Sequence, residues 1–141
     1  MNNQLNKINT KAVLILSALV LIVGLSSLKN NSIISDWKAP ASADKIINPI
    51  KITEPSINIG KKLYTTYCAA CHGNKGKGDG LAAASLNPKP ANFTLDKIQN
   101  QTDGAIYWKL TEGRSPMAGY KGSLSDEQRW HLVNFIRTLK K

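Results

Sequence analysis

Cys68-Ala69-Ala70-Cys71-His72 is the stretch that sets what this chain must fold around. Two thiols three residues apart at a helix end can reach the two vinyl groups on one haem edge and form thioethers. The imidazole that follows then lies under the iron, and Cys-x-x-Cys-His is the signature of covalent haem attachment. A thioredoxin-like Cys-x-x-Cys would follow a strand within an α/β pattern, and none surrounds this one. A structural zinc site needs four ligands. Apart from the motif only His131 remains, and the chain holds just two cysteines. No thiol is left for a disulfide or for a lipid-modified N-terminus.

Working outward, the motif closes a helix expected over Ile57 to Ala70, with Ser56 as its N-cap. A second helix is expected over Asp103 to Glu112, where Ile106, Tyr107 and Leu110 fall at helical spacing and Gly113 ends it. A third begins at Ser125, where Ser125-Asp126-Glu127-Gln128 forms a capping box. It runs to Leu139 with an apolar face of Trp130, Leu132, Val133, Phe135, Ile136 and Leu139. No alternating run supports a strand, so the fold class is all-α. Gly76 to Gly80 matches no nucleotide fingerprint and follows no strand; it reads as a turn bordering the haem crevice. Trp108 and Trp130 read equally as porphyrin contacts or core aromatics.

The length of 141 residues suits one domain. A basic start, Met1 to Lys11, leads into seventeen uncharged residues, Ala12 to Leu28. That pattern reads as an uncleaved signal anchor, with a removed signal peptide as the alternative. Residues 29–55, with prolines at 40, 49 and 55, read as an extended linker. Its 27 residues would reach at most about 90 Å. The folded haem domain is then expected over residues 56–141, small for an unaided core. Nineteen basic residues against nine acidic give a net charge of +10, spread without a stripe. An acidic protein or an anionic membrane surface fits that charge better than nucleic acid.

Residues 56–141 resemble the monohaem class I cytochromes c. Four features carry the resemblance: Gly60, Tyr64 and Cys68 at four-residue spacing; Cys68 to Gly73; Gly76-Lys77-Gly78-Asp79-Gly80; and Gly113-Arg114-Ser115-Pro116-Met117 before the closing helix. The resemblance implies one haem c bound through Cys68 and Cys71, with His72 and Met117 as iron ligands. It implies that the first and last helices cross at Gly60, with Tyr64 against Leu132 and Phe135. It also implies that a carbonyl of Asn87 to Phe93 accepts a hydrogen bond from the His72 ring; Pro88 and Pro90 are not separable. His131, expected to be partly exposed on its helix, is the rival iron ligand.

With both axial positions filled, no open site remains for a small-molecule substrate, and the expected role is that of an electron carrier rather than an enzyme. The expected setting is a respiratory chain on the periplasmic face, between a quinol-oxidising complex and a terminal oxidase or reductase. A haem-bearing subunit of a membrane oxidoreductase complex is the alternative.

Overall fold

The computed structural model describes residues 36–141. The expected anchor at 12–28 lies outside the described residues. Among the described residues five α-helices follow one another: α1 (Glu54–Tyr67), α2 (Ala69–His72), α3 (Asp96–Gln99), α4 (Asp103–Glu112) and α5 (Asp126–Arg137). Short 3-10 helices stand at Ala43–Lys45 and Leu81–Ser85. Among the described residues there is no strand, only an isolated bridge between Arg114 and Met117. The all-α expectation holds.

α1 starts three residues before its expected first residue. Thr53 is extended and its side chain accepts from the Ser56 N–H, while Pro55 fills the first turn, where its missing donor costs nothing. Ser56 therefore does not cap the helix. It faces inward and is buried, with Oγ 2.8 Å from His131 Nδ1. At the other end Cys68 (φ −118°, ψ −35°) interrupts the helix, and α2 carries on to His72. α4 matches its expected bounds, and α5 begins at the expected capping box. α5 ends at Arg137, two residues before Leu139.

α1 and α5 cross at Gly60. A Cβ built there would stand 2.0 Å from the His131 carbonyl oxygen, so only glycine lets the two backbones meet. One turn on, Tyr64 is buried with its ring centroid 5.0 Å from Phe135. Leu132, Val133 and Ile136 are fully buried beside it.

Residues 36–53, expected within a free linker, instead lie on the domain, and the compact unit begins at Asp36 rather than Ser56. Ala43 is 1% exposed, and its carbonyl stands so close to α4 that a Cβ at Gly104 would lie 2.1 Å from it. Asn48 Nδ2 donates to Asn134 Oδ1 (2.8 Å) and to Asp103 Oδ2 (3.3 Å), joining the segment to α5 and α4. These contacts are single residues without a period, which is why the composition of the segment read as linker.

Candidate functional site

His72 ends α2 with its ring buried. Its Nδ1 lies 3.0 Å from the Ala91 carbonyl, which can only accept, so Nδ1 carries the proton and Nε2 keeps the lone pair. Burial holds the imidazole below its ordinary value, in the neutral form a metal requires. The supporting carbonyl thus belongs to Ala91, immediately after Pro90, and to neither proline. Phe93 stacks on the His72 ring at 4.3 Å.

The glycine turn behind the motif is tied to it through backbone bonds. Gly78 N–H donates to the His72 carbonyl (2.8 Å) and Gly80 N–H to that of Cys71 (3.1 Å). Those amides are spent inside the fold and do not line a phosphate cradle. Gly73, Gly76 and Gly78 take positive φ, and a Cβ at Gly78 would lie 2.5 Å from the Pro90 carbonyl oxygen. The turn therefore presses against the loop that supplies the Ala91 carbonyl. Tyr64 Oη donates to the Gly73 carbonyl (2.7 Å), linking the helix crossing to the same turn.

Met117 sits in a turn after α4, half-buried and packed against the core. Arg114 and Met117 exchange two backbone hydrogen bonds of 3.0 and 2.8 Å. The turn is pinched at its neck, where a Cβ on Gly113 would stand 2.2 Å from Gly119 N. Tyr120 ties this turn to the haem-binding motif. Its hydroxyl donates to the Tyr67 carbonyl (2.9 Å), one residue before Cys68, and the two tyrosine rings meet edge to face at 5.9 Å. Sequence reasoning missed Tyr120, because a lone tyrosine after a loop carries no pattern.

His131 is buried, not partly exposed as expected. Nδ1 faces Ser56 Oγ, and Nε2 lies 3.6 Å from a Glu127 oxygen. Both ring nitrogens thus face protein partners at the helix crossing. Trp130 stacks on Tyr107 at 4.0 Å, and Trp108 stands against Trp37 at 6.4 Å.

The residues fit a covalent haem. Cys68 is buried and its thiol is pushed up to about 12, chiefly by burial. A redox-active or zinc-binding cysteine needs a stabilised thiolate, the reverse of this environment. A thioether has no proton to lose and suits it. Among the described residues no group of three or more His, Cys, Asp or Glu side chains stands together as a metal site.

Such a site defines a haem protein of the covalent kind, and comparison with known proteins gives the family. The Cytochrome c family profile matches residues 57–140. Cytochrome c6 of a Nostoc species is 31% identical over 81 residues, covering 57% of this chain and 68% of its own length. A chain of the Kuenenia stuttgartiensis reducing HAO-like protein complex Kustc0457/Kustc0458 superposes with a TM-score of 0.61 at 31% identity. That match covers 68% of this chain and 50% of that one. The KustC0563 c-type cytochrome gives a TM-score of 0.51 at 31% identity, over 58% of this chain and 98% of its own. The chain belongs to the cytochrome c family. It is an electron carrier rather than an enzyme, and its cofactor is covalently attached haem c.

Proposed function

We propose that this chain moves single electrons between membrane-associated respiratory complexes on the periplasmic side, through a haem held by Cys68 and Cys71 and ligated by His72 and Met117. The observation that supports this reading most directly is the Tyr120–Tyr67 hydrogen bond, which draws the Met117 turn to the start of the haem-binding motif. A His/Met-ligated haem supplies an iron that changes oxidation state with little rearrangement, at a potential raised by the thioether. His72 contributes a neutral imidazole whose orientation is set by the Ala91 carbonyl. The donor is a quinol-oxidising complex and the acceptor a terminal oxidase or reductase.

Lys75, Lys77 and Lys121 are exposed on loops next to the motif and the Met117 turn, where they would steer an acidic partner. Purified chain should be reduced by quinol-supplied membranes, and reversing these three charges should slow that reduction more at low salt than at high salt. Equal slowing from reversing Lys45, Lys51 and Lys141 would assign the effect to overall charge alone.

Residues 12–28 anchor the chain in this reading. Residues 36–53 are packed on the domain and do not belong to a tether. A mature chain recovered wholly soluble and starting after residue 28 would remove the anchor.

A second reading is favoured by the similarity to one chain of the Kuenenia complex, of which this chain matches half. Here the protein is the haem-bearing subunit of a larger redox assembly. Purification in mild detergent separates the two readings, since a carrier comes out alone and a subunit brings its complex.

A further inference from the structure

The packed segment before α1 begins beside the turn that holds Met117. The Trp37 ring is tilted against Trp108, centroids 6.4 Å apart. The Lys109 ammonium lies 5.6 Å from a Trp37 ring centre, and the Arg114 guanidinium carbon lies 5.1 Å from it. Trp108 and Lys109 belong to the last turns of α4, whereas Arg114 belongs to the turn that follows. One indole thus bridges the helix end and the turn. Arg114 is also the residue whose backbone N–H and carbonyl both bond to Met117. Any freedom at Arg114 is passed to Met117 through that bonded pair. A cation over an indole face is attracted by the ring itself, beyond any area the contact covers.

We propose that Trp37 is a positioning residue for Met117: by drawing Arg114 onto its ring, it keeps the 114–117 turn closed and the thioether in place. This rests on the assignment of Met117 as the sixth ligand. Under it, a ligand added from solution must displace Met117, and the ease of displacement reports how firmly the turn is held.

The test is imidazole titration of the ferric, haem-loaded full chain, with the sulfur-to-iron absorption band recorded. Trp37→Ala should bind imidazole about tenfold more tightly than wild type and weaken the band, since a lost cation–ring contact of ordinary strength translates to about that factor. Trp37→Leu, which keeps bulk without a π face, should behave as the alanine variant does, and Trp37→Phe should return most of the way to wild type. Asn48→Ala removes that side chain's own bonds to Asn134 and Asp103, at a point of the segment that does not touch Arg114 through Trp37. It should lower the melting temperature and leave imidazole affinity unchanged. In a Met117→Ala background, Trp37→Ala should add nothing to imidazole affinity.

If Met117→Ala alone leaves both band and affinity as in wild type, the ligand assignment fails and this proposal falls with it. If Met117→Ala responds but Trp37→Ala and Trp37→Leu do not, or if Asn48→Ala raises the affinity equally, the proposal is overturned by itself and Trp37 is a packing residue. Should Trp37→Ala fail to fold, the Leu and Phe pair carries the comparison.

Discussion

Met117→Ala is expected to abolish the weak long-wavelength sulfur-to-iron band of the ferric protein while the haem stays covalently attached. Attachment depends on Cys68 and Cys71, which the substitution leaves alone. In the proposed ligation the thioether is a soft, neutral ligand that favours ferrous iron, so its loss should lower the midpoint potential. Axial ligands span about 0.8 V among haem proteins, and a fall on the order of 0.1 to 0.3 V is expected here. The iron should also become open to carbon monoxide. Met117→His should restore six-coordination at a potential below that of wild type, because imidazole stabilises ferric iron better than a thioether does. Alanine-variant spectra and potential identical to wild type would remove Met117 from the iron. His131 would not then be an easy substitute, since Ser56 and Glu127 flank its two ring nitrogens.

Gly60→Ala is expected to be strongly destabilising. The added Cβ would stand 2.0 Å from the His131 carbonyl oxygen and 2.8 Å from the Phe135 Cβ. The first obstacle is backbone in the middle of α5, which cannot rotate aside as a side chain would. Relief needs the helices to move apart, which loosens Tyr64, Leu132 and Phe135 together. Overpacking of a tight core costs about 1–3 kcal/mol, and a backbone clash belongs at or above the upper end. For a unit of this size that lowers the melting temperature by roughly 12 °C or more. Gly122→Ala is the control, because nothing lies within 4 Å of a Cβ there, and it should melt within a degree or two of wild type. Equal melting of the two variants would mean that the crossing is not held at Gly60.

Features written in local chemistry were legible. Ser125 and Gln128 form the capping box their spacing announces, and Gly113 closes α4 with a positive φ, because both depend on neighbours a few residues away. Gly60 and Tyr64 were placed through resemblance, and the crossing lies where it implied. The start of α1 was misplaced because Thr53 and Ser56 are both capping types, and which one turns inward depends on His131 and Asn134 far along the chain. The support for His72 is a backbone carbonyl, Ala91, which no side chain advertises. Residues 36–53 were hidden for a related reason. Ala43 against Gly104 and Asn48 against Asn134 are isolated long-range fits, invisible to any periodic pattern.

The central claim is that one His/Met-ligated haem cycles by single electrons in this chain. A redox titration of the purified full chain, with the spectrum recorded at each potential, tests it most directly. A single one-electron transition is predicted, with the ferric sulfur-to-iron band disappearing in step with reduction. A ferric form without that band, or a transition at the lower potential expected for two imidazole ligands, would contradict it.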